Sequence, residues 1–220
     1  YKVTKINTHM NRNLSLIILH HLMLVLGIYI YGFNIWVAIP IFFLSMMWAK
    51  LVGSDIMHFY FSHGEYQDSI KSYFYTFLTI CTGLGSPISF SANHRQHHKY
   101  SDTEKDPHSP AHIGWFRVYF LMFAPQKISP RLIADFARSK FQKKAHKYWF
   151  QMHIATIIIL ALIDPRLLFF VLSPFIIYQF HVISATSVLA HTGGEHKNVP
   201  LLSLLCWWGW NHADHHNYSK

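Results

Sequence analysis

The chain has 220 residues, of which 51% are hydrophobic and 17% aromatic, while only 13% are charged. A soluble domain averages about 25% charged residues, so this composition argues against a soluble globular protein and indicates that much of the surface faces lipid. The net charge of +9 does not predict nucleic-acid binding. The basic residues lie in loops that flank apolar stretches, and no basic helix with interleaved aromatic residues is present.

Two apolar stretches near the start of the chain are long enough to cross a bilayer, which takes about 20 helical residues. They are residues 14–32 and 35–52, joined by a short turn. We interpret His20 and His21, inside the first stretch, as neutral histidines that face the protein interior. The second stretch is predicted to continue as a helix into the aqueous phase, where it delivers His58.

The next apolar segment, residues 73–91, does not read as a regular span. Gly83, Gly85 and Pro87 interrupt it, which favours a membrane-embedded or surface-lying segment. A short aromatic stretch at residues 115–124 suits the membrane interface. Residues 131–147 are basic, which is typical of a solvated helix and also compatible with attraction to anionic lipid.

Two further spans are predicted at residues 145–163 and 167–190, joined by a tight turn. Of the 19 Lys and Arg residues, only Arg166 lies on the side of the two turns. The positive-inside rule therefore places both termini in the cytosol. The chain begins with Tyr1, and we expect it to be a single domain, residues 1–220, truncated at both ends.

Eight histidines fall into three short motifs at the cytosolic ends of the predicted spans. In the pattern HxxHH, residues at i, i+3 and i+4 share one face of a helix, where they can grip a metal ion. In the pattern Hx4H, the two residues lie about 140° apart on an α-helix, so we expect the helix to end between them, and Gly64 suits such an end. The motifs are His58 and His63 in Hx4H, His94, His97 and His98 in HxxHH, and His212, His215 and His216 in a second HxxHH.

A ninth histidine, His191, emerges at the end of the fourth predicted span. Nine imidazoles exceed one coordination sphere, since zinc is satisfied by four ligands, so two metal ions are predicted. An all-nitrogen set is compatible with iron, copper or zinc. The fold class that follows is an all-α integral membrane protein, with four transmembrane helices in two hairpins and a cytosolic histidine-rich cap that binds metal.

Carboxylates near the motifs are candidates to accept the second N–H of a metal-bound imidazole. They are Asp55, Glu65, Asp102, Asp106 and Asp214. His108 and His112 lie close to the middle motif but outside its helical face. The histidines that lack a cluster are interpreted as structural, and they include His9, His146, His153, His181 and His196.

The run from residue 97 to residue 110, HHKYSDTEKDPHSP, together with the three histidine motifs, resembles the membrane-bound fatty acid desaturases, and the delta-9 acyl desaturases in particular. The resemblance covers nearly the whole chain. It implies two iron ions held by the nine histidines, O2 as oxidant, and two electrons from a donor such as cytochrome b5 or ferredoxin. It also implies a fatty acyl substrate on CoA, acyl carrier protein or a membrane lipid.

The chain departs from this family at two places. Ser187 stands where the family usually has an asparagine that contributes to the metal site, and Trp208, Gly209 and Trp210 replace the Gly-Glu-Gly that precedes the last motif.

Three alternative functions stay open. A diiron hydroxylase of the alkane or fatty acid type is similar at residues 211–216, and product analysis separates it. The second alternative is a metal transporter or sensor, in which the ligands should lie near the bilayer midplane. The third is a zinc-stabilised structural protein, which metal analysis and a measurement of O2 consumption would distinguish from an enzyme.

Overall fold

The computed structural model describes residues 6–83, 85–120, 128–206 and 212–218, and these segments form helices joined by short loops. Trp208 and Trp210, and the end of the aromatic stretch after residue 120, lie outside the described residues. In chain order the helices are α1 (Ile6–Tyr31), α2 (Ile35–Trp48), a first π-helix (Ala49–His63), α3 (Ile70–Cys81), α4 (Pro87–Tyr100), α5 (Pro110–Ile113), α6 (Trp115–Tyr119), a 3-10 turn (Pro130–Ile133), α7 (Ala134–Arg138), α8 (Lys140–Ile163), α9 (Pro165–Leu167), a second π-helix (Leu168–Leu172), α10 (Ser173–Leu189), α11 (Pro200–Cys206) and α12 (His212–Tyr218).

Within the described residues, four helical stretches are long and apolar enough to cross a membrane, as the sequence predicted. They are Arg12–Tyr31, Ile35–His63, Lys140–Ile163 and Pro165–Leu189. Large apolar side chains project outward along them, including Val25, Trp36 and Leu162. A continuous apolar surface of this extent is typical of contact with lipid.

The fourth stretch lies at the centre of the bundle. Half of its most apolar part is buried, against 17% for each of the other three. Its helix α10 packs against both α1 and α2. The neighbouring π-helix approaches α1 so closely that a Cβ at Gly27 would lie 2.5 Å from the Cβ of Phe169. Glycine is therefore required at this crossing.

A buried histidine pair connects three of the spans. Ser173 Oγ donates to His20 Nδ1 at 3.0 Å, and the Nε2 atoms of His20 and His153 are 3.0 Å apart. His153 Nδ1 donates to the carbonyl of Ile80 at 3.1 Å, which leaves its Nε2 to accept from His20. Every ring nitrogen is satisfied with both imidazoles neutral. The interpretation of His20 as a neutral, interior-facing residue is confirmed by its burial and contacts.

The interrupted segment at residues 73–91 divides into two helices, in agreement with its glycines. Helix α3 ends at Cys81, and Gly83 and Gly85 adopt positive φ angles of 72° and 85°. Helix α4 then begins with Pro87 at its first turn, where Ser86 accepts a hydrogen bond from the Ser89 backbone. The new helix start sets the direction of α4, which carries the middle histidine motif.

The third span starts earlier than the predicted residue 145. Helix α8 begins at Lys140, because Ser139 caps it by accepting a hydrogen bond from the backbone N–H of Gln142. Hydropathy locates the apolar part of a helix but does not detect its polar first turns. The basic residues before position 145 therefore continue the span as one helix.

Candidate metal centre

The Hx4H pair lies on a π-helix, which corrects the prediction that the helix ends between the two residues. The π-helix runs without a break through Ala49–His63, and at its end the Gly64 N–H donates to the Phe59 carbonyl at 3.0 Å. Bonding between residues five apart brings such residues onto one side of the helix. His58 and His63, five apart, consequently place their Nε2 atoms 3.3 Å from each other.

The nine predicted imidazoles come together as two groups. In each group the ligand atoms all lie within 4.8 Å of one another. The five-histidine cluster consists of His58, His63, His94, His98 and His215, and the four-histidine cluster consists of His97, His191, His212 and His216.

The middle motif contributes to both clusters. His94 and His98 are one turn apart on α4 and join the five-histidine cluster, while His97 turns to the four-histidine cluster. The last motif divides in the same way: His215 is 3.0 Å from His98, and His216 is 3.3 Å from His97, Nε2 to Nε2. Each HxxHH motif therefore bridges the two clusters instead of forming one site.

The spacing of the nitrogen atoms fits a metal ion at the centre of each cluster. Neighbouring Nε2 atoms are 2.9 to 3.3 Å apart in the five-histidine cluster and 2.8 to 3.3 Å apart in the four-histidine cluster. Two imidazoles bound at about 2.1 Å and at right angles to each other place their nitrogens about 3 Å apart.

The hydrogen bonds of the rings point to the same conclusion. His97 Nδ1 donates to Asp106 Oδ2 at 2.8 Å, and His191 Nδ1 donates to Asp102 Oδ2 at 2.9 Å. In a neutral imidazole the other nitrogen, Nε2, then carries a lone pair. Lone pairs that converge at this distance repel one another unless a cation lies between them, so this donor set is suited to a metal ion.

Burial keeps the ligand candidates on α4 in the neutral form. It lowers the pKa of His98 to about 3, with His215 adding to the effect, and it holds the pKa of His97 well below its ordinary value. Neutral imidazole is the form that binds metal. At neutral pH these nitrogens are therefore available to an ion without first losing a proton.

The two carboxylates belong to one tightly bonded loop after α4. Asp106 is fully buried and also accepts the backbone N–H groups of Asp102 at 2.9 Å and His108 at 3.0 Å. Asp102 has a φ of 56° and accepts a hydrogen bond from Ser109 Oγ at 3.1 Å. Burial raises the pKa of Asp106 to about 6, whereas the hydrogen bond from His191 outweighs burial and holds the pKa of Asp102 below its ordinary value.

The other carboxylate candidates have different surroundings. Asp55 forms an ion pair with Lys50 at 2.8 Å. Glu65 is exposed and Asp214 is half-buried. The structure places Ser187 on α10, one turn before His191 and half-buried.

Two histidines that the sequence did not assign to a motif lie against the four-histidine cluster. The ring of His108 is 4.0 Å from that of His97, and the ring of His196 stacks on His216 at 4.0 Å. His196 also contacts Ser101 Oγ at 2.8 Å. For His108, its closeness in sequence to the middle motif was the one signal that could have placed it at the cluster. Nothing in the sequence indicated that His196 would lie there.

Arg95, inside the middle motif, is a residue that sequence reasoning missed. Its guanidinium donates to both oxygens of Asp135 at 2.9 Å and to four backbone carbonyls. Those carbonyls belong to Phe61, Ser62, Gly64 and Leu132. Arg95 therefore fastens the end of the π-helix, on both sides of His63, to α4 and α7.

An open cavity of about 390 Å³ adjoins the five-histidine cluster at His63. Charged side chains dominate its lining, with three arginines and two acidic residues. The charged lining residues are Glu65, Arg95, Arg131, Asp135 and Arg138. This lining gives the cavity a small positive net charge beside a cluster imidazole.

Comparison with curated proteins finds several relatives named as acyl desaturases and one named as an acetylenase. An icosanoyl-CoA 5-desaturase of Limnanthes douglasii is 25% identical over 225 residues, covering 94% of this chain and 62% of its own length. An sn-1 stearoyl-lipid 9-desaturase of Anabaena variabilis is 29% identical, covering 64% of this chain and 58% of its own. A hex-5-enoyl-[acyl-carrier protein] acetylenase of Moorena producens is 29% identical, covering 56% of this chain and 41% of its own.

The chain thus spans between 41% and 62% of the length of these relatives. No protein-family model matches it. The relatives named as desaturases act on differently carried acyl chains, and one of them aligns with 94% of this chain. The chain is therefore similar to fatty acid desaturases, at 25% to 29% identity over 64% to 94% of its length.

Proposed function

We propose that this protein is an oxygen-dependent fatty acyl desaturase that introduces a double bond into an acyl chain with two iron ions. The observation that carries the proposal is the convergence of nine imidazoles into two clusters with metal-ligand spacing, in a chain related to desaturases. Two hydrogen atoms leave adjacent carbons of the chain and, together with two electrons from the donor and two protons, convert one O2 into two water molecules.

The nine histidines are proposed to hold the metal, with one ion in each cluster. The bound iron would supply the oxidation that breaks unactivated C–H bonds. The protein's own residues fix the imidazoles in place: Asp102 and Asp106 hold a proton at Nδ1 of His191 and His97, so that Nε2 faces the ion. The apolar spans beneath the clusters exclude water and position the acyl chain, which is a matter of orientation.

The substrate is proposed to be a fatty acyl group on CoA, acyl carrier protein or a lipid, and position 9, suggested by residues 97–110, is the one to test first. The electron donor is proposed to be an acidic carrier such as cytochrome b5 or ferredoxin, because residues 131–147, on the same predicted side as the clusters, are basic. The four spans are proposed to form two hairpins, with termini and clusters in the cytosol.

Product analysis tests the reaction. Expression in a desaturase-deficient host should yield new unsaturated fatty acids, and His98→Ala should abolish them because packing cannot replace a lost ligand. Ser187→Asn, which restores the residue usual in the family, should keep activity. Fatty acid profiling by mass spectrometry is the measurement. If the host produced hydroxylated chains and no new unsaturation with every electron donor supplied, the protein would be a hydroxylase and not a desaturase.

Cysteine labelling tests the topology. In a background without Cys81 and Cys206, a cysteine at Phe33 in the α1–α2 turn and one at Lys105 in the loop after α4 should react from opposite sides of the membrane. Both positions are exposed, so the membrane is the only barrier to the reagent. Labelling of both from the same side would contradict the two hairpins and the common cytosolic cap.

A further inference from the structure

The loop at residues 100–109 brings negative charge to one of the two clusters. Asp106 accepts three N–H groups, from His97 Nδ1 and from the backbones of Asp102 and His108, and Asp102 accepts from His191 Nδ1 and Ser109 Oγ. An aspartate surrounded by donors in this way is ionised, because a protonated oxygen would face a donor. Both histidines that these carboxylates hold belong to the four-histidine cluster.

The surroundings of the five-histidine cluster have the opposite sign. Arg95 lies against the carbonyls on both sides of His63, at 2.8 Å from those of Ser62 and Gly64. Asp135 balances Arg95, but the cavity at His63 is also lined by Arg131 and Arg138, against one further acid, Glu65. Both of these arginines are exposed, so their charge is screened by solvent and adds only weakly to the contrast.

We propose that the two metal sites are electrostatically inequivalent, with Asp102 and Asp106 as positioning residues that make the four-histidine site prefer the ferric ion more strongly. This inference rests on the proposed function only in taking iron as the metal. A carboxylate hydrogen-bonded to an imidazole raises its basicity as a ligand. Its charge also stabilises a trivalent ion more than a divalent one, since Coulomb energy scales with the charge of the ion. The ion in the five-histidine site is therefore reduced first.

Asparagine is a matched substitution for both aspartates. It keeps the shape and one acceptor oxygen while removing the charge, and it tolerates the positive φ of residue 102. Asp55→Asn is the control, since that carboxylate pairs with Lys50. All variants are made in the full chain, loaded with ⁵⁷Fe, and checked for folding by thermal unfolding.

Reductive titration followed by Mössbauer spectroscopy measures the effect. In the wild type, one electron per chain should leave one ferrous and one ferric ion. In Asp102→Asn and in Asp106→Asn, the ion that is harder to reduce should become easier to reduce, while the other ion is unchanged. A chelator challenge should show that the affinity for this same ion falls by roughly 10- to 100-fold. Asp55→Asn should match the wild type in both measurements.

The outcomes separate this inference from the proposed function. A wild type that makes alkene and binds two iron ions, but whose ions are reduced together, overturns the inequivalence alone. A shift of both ions by the same amount, or of neither, in both asparagine variants does the same. Loss of both ions with a lowered unfolding temperature in both variants would show a structural role and also refute it. A wild type that binds fewer than two ions refutes the proposed function together with the inference.

Discussion

His97→Ala should lower the metal content from about two ions per chain to about one and abolish the product. His97 belongs to the four-histidine cluster, and its loss leaves three imidazoles there while all five remain in the other cluster. It also leaves Asp106, which is fully buried, without one of its three hydrogen-bond donors, and this adds to the loss. Metal analysis of purified protein after dialysis measures the content.

His98→Ala is the matched variant, because the adjacent residue belongs to the other cluster. It should weaken the binding of the ion in the five-histidine cluster and leave the four-histidine cluster intact. The ion that remains bound should therefore differ between the two variants, and so should their spectra. In the double variant, the binding of both ions should be weakened. If the single variants lost the same ion, or if the double variant kept two ions, the division of the histidines into two sites would be wrong.

Arg95→Leu should destabilise the protein by roughly 3 to 5 kcal/mol, the usual effect of removing one partner of a buried ion pair. The side chain of Arg95 is 18% exposed and that of Asp135 is 10% exposed. The substitution removes the guanidinium that donates to the carbonyls at the end of the π-helix and to Asp135, which keeps the backbone N–H of Tyr66 as a donor. Arg95→Lys should recover little, because an ammonium group does not reproduce the planar fork. Unfolding in detergent measures the change.

Arg166→Leu is the control for this prediction. Arg166 also pairs with an aspartate, Asp164, at 2.7 Å, but its side chain is 66% exposed. Solvent screens an exposed pair, which therefore contributes little to stability, so this variant should unfold close to the wild type. Equal losses in the two variants would show that the contacts of Arg95 to the π-helix do not stabilise the site.

The membrane spans and the nine candidate ligands follow from the sequence by itself. Apolar stretches of about 20 residues have few structural alternatives, because the backbone must satisfy its own hydrogen bonds in lipid. Histidines repeated at i, i+3 and i+4 share a helical face whatever the rest of the chain does. The glycines and proline between residues 81 and 87 also determine locally where α3 and α4 divide.

The division of the candidate ligands into two clusters depends on tertiary structure. Spacing places His97 and His98 on one face of α4, but which cluster each joins is decided by His215 and His216, which lie more than 100 residues away and approach from α12. The π-helix is likewise not encoded in the Hx4H pattern, since a π-turn is less stable than an α-turn and persists where surrounding contacts hold it. Arg95 supplies such contacts to its end.

The roles of Asp102 and Asp106 also depend on tertiary structure and could not be predicted from the sequence. The sequence offered five carboxylates near the motifs and gave no reason to prefer one over another. The fold selected two of them, because the positive φ of Asp102 turns the loop back onto α4 and toward the end of α10, where His97 and His191 meet. Periodicity along a helix is a local property that the sequence determines, whereas the partner of a buried charge is fixed only when distant segments pack together.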